Sequence, residues 1–323
     1  MTATGLFPVV PDQTITGWIM AQRPPRTGTL DPFKPHNFFV EQERAESGRV
    51  ARSAVILLTN KECPWRCLMC DLWKNTLTDT VPPGAIPKQI HYALAQLGAT
   101  PEQIKLYNSG SFFDAAAIPF VDYPAIARTV AIAKHVVVES HPRLVGERAL
   151  KLRDLLCGSL EVAMGLETVH PAVLPRLNKK FTLAHFSQAA DFLRQERIAV
   201  RAFVLVKPPF MNEEEAVEWA VKSAEFAFAC GAAVVSLIPT RTGNGALNRL
   251  GEAGQFAPPR LSTLEQALEA TLNLQRGRVL ADTWNLEQFS SCAACLEQRR
   301  QRLHTINLAQ KSVPVIECPV CGG

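Results

Sequence analysis

From residue 53 onward the chain alternates short apolar, β-branched runs with helix-length amphipathic segments, and no other feature limits its fold so strongly. The apolar runs are Ala54–Leu58, Gln103–Tyr107, His135–Glu139, Leu160–Leu166, Val200–Val206 and Val234–Ile238. Their near-continuous apolar character predicts strands buried on both faces, as in a parallel sheet. Between them, helices are predicted near 87–97, 122–133, 145–156, 183–196 and 213–230. Asp122 reads as a helix cap, and Asn212 before Glu213, Glu214 and Glu215 places a cap and acids at another helix start. Six βα repeats with right-handed crossovers give an α/β fold, an incomplete (β/α)6 TIM-like barrel. Of the 323 residues 47% are apolar and 20% charged, enough for a core of that size.

The flanks break the rhythm. Across residues 1–50 prolines recur at 8, 11, 24, 25, 32 and 35 and no period is sustained. This stretch reads as an irregular N-terminal arm wrapping the core, anchored by Phe33, Phe38 and Phe39. The core is taken as 51–282 and a C-terminal four-cysteine module as 283–323. Residues 243–261 hold four glycines and two prolines and read as a loop or lid, followed by a helix from Ser262 to about Gln275, capped by Ser262 or Thr263. No apolar run is long enough to span a bilayer, and the first residues lack the basic and apolar regions of a signal peptide. The expected setting is the cytoplasm, with no membrane partner. A net charge of +4 permits an acidic partner without requiring one.

Nine cysteines remain, and a reducing compartment argues against a disulfide framework. Cys157 and Cys230 stand alone in apolar helical contexts and read as small core residues. The other seven fall in three groups: Cys63, Cys67 and Cys70; Cys292 and Cys295; Cys318 and Cys321. The first group is C-x3-C-x2-C on the loop after the first strand. Three thiolates on one short loop can ligate three irons of a cubane cluster and leave the fourth open to another ligand. A structural zinc site wants four protein ligands, and no histidine lies nearby before His91. In parallel βα folds ligands gather at the carboxyl ends of the strands. Those ends read Thr59-Asn60, Tyr107-Asn108-Ser109-Gly110-Ser111, Glu139-Ser140-His141-Pro142, Gly165-Leu166-Glu167-Thr168, Lys207-Pro208-Pro209 and Pro239-Thr240-Arg241-Thr242.

On these residues the chain resembles the radical S-adenosylmethionine superfamily, marked by C-x3-C-x-φ-C with a hydrophobic residue at φ, here Met69. The resemblance implies a [4Fe-4S] cluster on Cys63, Cys67 and Cys70. Its open iron chelates the amino and carboxylate groups of S-adenosyl-L-methionine, and one electron cleaves the sulfonium to a 5′-deoxyadenosyl radical. By position, Asn108, Ser109 and Gly110 match the glycine-rich turn that receives the methionine amino group, although the common Gly-Gly-Glu is absent. Glu139, in Glu-Ser-His-Pro, is similar to Glu-Thr-Arg-Pro of the Elongator catalytic-subunit class. Glu167 ends the fourth strand, where relatives place a polar residue near the ribose. Both glutamates also fit helix-capping acids. Leu177-Asn178-Lys179-Lys180 is similar to Leu-Asn-Arg-Gly of the same class. Met69 and Lys207 complete the implied cofactor-binding set.

Cys67-Leu68-Met69-Cys70-Asp71-Leu72-Trp73 and Leu106–Asp114 resemble the radical subunit of archaeosine synthase and its bacterial relatives, over roughly residues 50–323. That resemblance implies a lysine-adducted 7-deazaguanine base in tRNA as substrate, cleaved at a C–N bond to leave a formamidine. It also implies tRNA, a one-electron reductant protein of flavodoxin or ferredoxin type, and a partner subunit supplying the modified tRNA. The alternatives are a radical enzyme acting on a small metabolite or peptide, and a non-catalytic zinc-ribbon protein that binds nucleic acid.

Cys292-Ala293-Ala294-Cys295 and Cys318-Pro319-Val320-Cys321 form two C-x2-C pairs 22 residues apart. Four thiolates suit a closed tetrahedral Zn2+ site, and the same set serves an auxiliary iron–sulfur cluster. Pro319 with Gly322 and Gly323 suits a tight turn whose amides face sulfur. Between the pairs, Glu297–His304 reads as a basic helix with Arg299 and Arg302 on one face. Such a face either holds RNA phosphates or is solvated.

Overall fold

Alternation along each strand divides the sheet between two environments. Ile104 and Leu106, Val136 and Val138, and Leu160 and Val162 pack with Ile90, Ile126, Leu152 and Phe186 of the surrounding helices in one core. The computed structural model describes residues 7, 12–26, 28–98 and 100–321. Its eight strands form one curled half-barrel sheet in sequential order. They are β1 (Asn37–Arg44), β2 (Val50–Leu57), β3 (Gln103–Tyr107), β4 (His135–Ser140), β5 (Ser159–Glu167), β6 (Ala199–Val206), β7 (Val234–Pro239) and β8 (Arg278–Ala281). The pairs from β2 to β8 are parallel and β1 is antiparallel to β2. The helices are α1 (Asp12–Gln22), α2 (Ala85–Leu97), α3 (Tyr123–Val130), α4 (Glu147–Leu155), α5 (Leu183–Gln195), α6 (Glu213–Ala229), α7 (Ala246–Glu252), α8 (Leu261–Leu272) and α9 (Ala293–Ala309). Among the described residues no helix is long and apolar enough to cross a membrane.

The six strands expected from the sequence are β2 to β7. Other readings need correction. The arm expected to be irregular carries α1 and the edge strand β1. β1 escapes notice because its inward residues are charged. Arg201 binds Glu43 through Nη1 and Nη2 at 2.9 and 2.6 Å and Glu161 through Nε at 2.5 Å, while Lys105 pairs with Glu41 at 2.5 Å and with Glu43. Burial alone would raise the carboxyl of Glu161, but the Arg201 guanidinium overrides it and holds it at about 2. The expected loop at 243–261 contains α7, whose start is capped by Asn244 Oδ1 accepting from Leu247 N at 2.7 Å. Asp122 does not cap α3. Its Oδ1 accepts from Gly84 N at 2.7 Å and ties α3 to the start of α2. α8 begins after Arg260, and the Thr263 hydroxyl donates to Glu213 instead of capping. Cys230 is buried as expected, but Cys157 is exposed in the turn after α4, where the chain reverses toward β5.

α9 covers the seam between the two sheet edges. Asn307 Oδ1 accepts from Ala281 N and its Nδ2 donates to Ala281 O, and Gln310 does the same for Val279, each bond 2.8 Å. Two side-chain amides thus satisfy the β8 edge that would otherwise invite another strand. On the other side Arg44 of β1 donates to Leu308 O at 3.1 Å, and Arg278 of β8 donates to Arg44 O at 2.8 Å.

Candidate functional site

The loop after β2 carries Cys63, Cys67 and Cys70 and is held by its own backbone. Leu68 N donates to Leu177 O at 2.9 Å. Asn178 Nδ2 donates to Arg66 O at 2.7 Å, and Asn244 Nδ2 to Leu68 O at 2.6 Å. Asn178 sits at φ 55°, a left-handed conformation asparagine tolerates. The Trp65 ring stacks on His141, centroids 3.8 Å apart and planes 7° apart. His141 Nε2 donates to Lys179 O at 2.8 Å and its Nδ1 accepts from Arg143 N at 3.2 Å, which fixes the tautomer. Burial, then the Lys179 charge, push this imidazole down to about 3, so it is neutral.

Burial pushes each of the three loop thiols up to about 12. Such thiols become thiolates only against a strong positive charge, which a metal centre supplies. The turn after β3 lies directly against Cys63. A Cβ on Gly110 would stand 3.2 Å from Cys63 Cβ, so glycine permits the approach. Glu139 Oε1 accepts from Asn108 N at 2.5 Å and Gly110 N at 3.4 Å. Burial raises its carboxyl to about 6, and the amides of Asn108, Gly110 and Ser109 restrain the rise. The Asn108 side chain is fully buried, and neither its Oδ1 nor its Nδ2 has a partner. A buried amide without partners beside a cysteine loop fits a site built for a polar ligand.

Glu167 ends β5 at a register shift, at φ 64°, and forms an ion pair with Lys179. A Cβ on Gly165 would collide with both partners. Lys207 does not join this group. Its Nζ bonds Glu213 Oε2 at 2.5 Å and Pro258 O at 3.4 Å, fastening the end of β6 to α6. Met69 packs against the apolar clusters around Leu247 and Leu205. Lys179, Gly165 and the Trp65–His141 stack carry no assigned role in the sequence reading. The signals for them were the strand-end phrases that hold His141 and Gly165 and the phrase Leu177–Lys180, whose contacts depend on the fold.

The second centre lies at the start of α9. Cys292 Sγ and Cys318 Sγ are 3.9 Å apart, Cys295 Sγ and Cys321 Sγ 3.7 Å, and all four ligand atoms lie within 4.8 Å of one another. Among the described residues no other group of three or more potential ligands is drawn so close. The backbone amides of Val320 and Cys321 lower the Cys318 thiol to about 7. The expected Gly322-Gly323 part of the turn lies outside the described residues.

The basic helix between the pairs is not the face the sequence suggested. Arg299 and Arg302 are buried: Arg299 pairs with Glu265, and Arg302 pairs with Glu269 and donates through Nε to Pro314 O at 2.8 Å. Both guanidiniums join α9 to α8 and the tail, because an arginine facing the core must meet carboxylates and carbonyls. Arg300 remains outside, 3.5 Å from Glu287 and 3.6 Å from Glu297.

No family model matches the chain. It is similar to the archaeosine synthase subunit beta of Methanosarcina acetivorans, 26% identical over 281 residues, covering 82% of this chain and 81% of that protein. The subunit of the same name from Thermococcus kodakarensis is 30% identical over 208 residues, 61% of this chain and 64% of that protein. An uncharacterised protein of Methanocaldococcus jannaschii is 23% identical over 311 residues, 89% and 85% of the two chains. Among solved structures, methylornithine synthase superposes with TM-score 0.52 at 11% identity over 75% of this chain and 68% of that one. The Methanocaldococcus infernus Elp3 superposes with TM-score 0.51 at 14% identity over 68% of this chain; the match spans 59% of the Elp3 chain. Both are radical S-adenosylmethionine enzymes. The chain carries the fold of these two proteins. In that fold the C-x3-C-x2-C loop stands at the carboxyl end of the first parallel strand, the side where ligands of such barrels bind.

Proposed function

We propose that the chain is a radical S-adenosylmethionine enzyme acting on a modified base of tRNA, in the manner of archaeosine synthase, by cleavage of a C–N bond. The observation that carries the reading is the half-buried three-thiol loop set against a glycine turn and an unpartnered, buried asparagine amide. Cys63, Cys67 and Cys70 would hold a [4Fe-4S] cluster, and S-adenosyl-L-methionine would bind beside it. When bound, the pair supplies one-electron cleavage of the sulfonium and hydrogen-atom abstraction. Asn108 offers donor and acceptor atoms to the cofactor's polar end. Glu139 keeps the Asn108–Gly110 turn in shape, Glu167 with Lys179 lines the wall by Gly165, and Met69 packs beneath the loop. Lys207 supports the site from below by fixing the end of β6.

The quartet Cys292, Cys295, Cys318 and Cys321 is assigned Zn2+. A regular tetrahedron with metal–sulfur bonds of about 2.3 Å has sulfur–sulfur edges of about 3.8 Å. The two spacings here, 3.7 and 3.9 Å, bracket that value. A cubane places its thiolates on separate irons, farther apart. Residues 283–323 then form a metal module fastened to the 51–282 core.

The names of the archaeal relatives support the tRNA substrate and a partner subunit. A flavodoxin or ferredoxin would deliver the electron, in the cytoplasm. Anaerobically reconstituted protein should show a reduced-cluster paramagnetic resonance signal that shifts on adding S-adenosyl-L-methionine. Deleting the gene in its host should remove one modified nucleoside from tRNA. Unchanged tRNA with intact S-adenosylmethionine cleavage would move the reading to a small metabolite or peptide. Absence of any cluster signal would leave the non-catalytic reading.

A further inference from the structure

The segment after β5 is stitched to the cysteine loop at three points. Leu177 O accepts from Leu68 N at 2.9 Å, Asn178 Nδ2 donates to Arg66 O at 2.7 Å, and Lys179 O accepts from His141, whose ring stacks on Trp65. Leu177–Lys179 is therefore fixed against Trp65–Leu68, the stretch that contains Cys67. The Lys179 side chain then crosses the space that a Cβ on Gly165 would fill and meets Glu167. Its charge and that of Glu167 are therefore held at the carboxyl end of β5, in the segment tied to the stretch that carries Cys67. The Lys179 side chain is only 11% exposed, so solvent screens that charge little.

A cluster that takes up an electron gains negative charge. A fixed cation nearby favours the reduced form and a fixed anion disfavours it. We propose that Lys179 is a positioning residue whose charge sets the reduction potential of the cluster on Cys63, Cys67 and Cys70, with Glu167 as its opposing partner and Gly165 as the gap that admits the pair. The proposal rests on the reading that this loop holds a [4Fe-4S] cluster. It adds which side chains set how readily the electron enters.

The test is an anaerobic redox titration of reconstituted full-length protein without S-adenosylmethionine, followed by the paramagnetic signal of the reduced cluster. Wild type, Lys179→Met, Lys179→Arg and Glu167→Gln are compared. At a fixed potential, Lys179→Met should lower the reduced-to-oxidised ratio about tenfold, which is 59 mV for one electron. Lys179→Arg should restore it, and Glu167→Gln should move it the other way. Opposite signs from two touching residues follow from charge and not from a packing defect. A Lys179→Met protein titrating with wild type, or both variants shifting the same way, would overturn the proposal. So would an unchanged potential with weakened S-adenosylmethionine binding, which makes Lys179 a ligand contact. Should Lys179→Met fail to take up iron, the Glu167→Gln and Lys179→Arg titrations decide alone. A wild type with no cluster signal overturns the cluster reading itself, and this proposal with it.

Discussion

The molecule has two cysteine centres made of the same donor atom, and they are built differently. The terminal quartet converges all four sulfurs within 4.8 Å and draws them from both ends of one module, α9 and the returning tail. Little besides sulfur and the amides around Cys318 is needed to describe it. The loop triad is not drawn together in that way. It depends on neighbours from across the sheet: the Asn108–Gly110 turn, Glu139, the Leu177–Lys179 segment, and Asn244 before α7. One centre closes on itself and is suited to holding structure. The other is left incomplete by its own residues, with a buried amide unpaired beside it, and is suited to receiving a ligand.

The largest expected effect separates the two directly. Replacing Cys63, Cys67 and Cys70 together by alanine should abolish iron uptake and S-adenosylmethionine cleavage while leaving about one zinc per chain. Metal analysis reads both numbers. About four irons remaining would mean that the quartet holds a cluster, and the contrast between the centres would collapse.

Next in size is the converse experiment. Cys318→Ser, or stripping the metal with a chelator, should free the Lys311–Cys321 tail and lower the melting temperature by on the order of 10 °C. Hydrogen exchange should quicken in the tail, while the visible spectrum of the reconstituted loop cluster stays the same. A loop cluster lost along with the zinc would show the centres to be coupled.

A smaller effect tests how the quartet module is fastened. Arg302→Met takes the cation from Glu269, which keeps only the Ser312 hydroxyl, and the donor from Pro314 O, and should cost about 3 kcal/mol in chemical denaturation, the scale for breaking a buried pair from one side. Arg300→Gln, at a half-exposed pair, should cost under about 1 kcal/mol. Equal effects would refute the burial argument. Any change in the salt dependence of tRNA binding belongs to Arg300 alone of the two.

The smallest effect concerns the loop centre's support. The Glu139 carboxyl is raised from 4.5 to about 6 in the fold. Between those values the native protein keeps a proton that the unfolded chain has lost, so stability falls as pH rises through the window, by roughly 1–2 kcal/mol. Glu139→Gln still offers an oxygen to the Asn108 and Gly110 amides and should flatten that slope. A slope that persists in the variant would assign it to another group.

Sequence and structure agree where periodicity was strong. β2 to β7 and the helices between them follow from runs whose burial on both faces leaves little choice of residue. Agreement ends where a charged residue does the work of an apolar one. β1 hides Glu43 in the core against Arg201, and α9 hides Arg299 and Arg302 against α8, so a reading that sends charge to the surface misplaces all of them. Short elements such as β8 and α7 give too few residues for a period. Among the candidate site residues, the cysteines were found through spacing alone. Lys179 and Gly165 stood in quoted phrases without a role, because their meaning lies in a side-chain contact across the end of β5 that spacing does not show.

Hydrophobic period and ligand spacing are local properties of the chain, and they were enough for the alternating α/β architecture and both cysteine sets. Which charges are buried, and what partners them, emerges from the folded arrangement of the segments. It brought the quartet's four sulfurs to the spacing of a single ion and set Lys179 with Glu167 against the loop. Those outcomes depend on distances between segments remote in sequence, and such distances exist only once the sheet has curled.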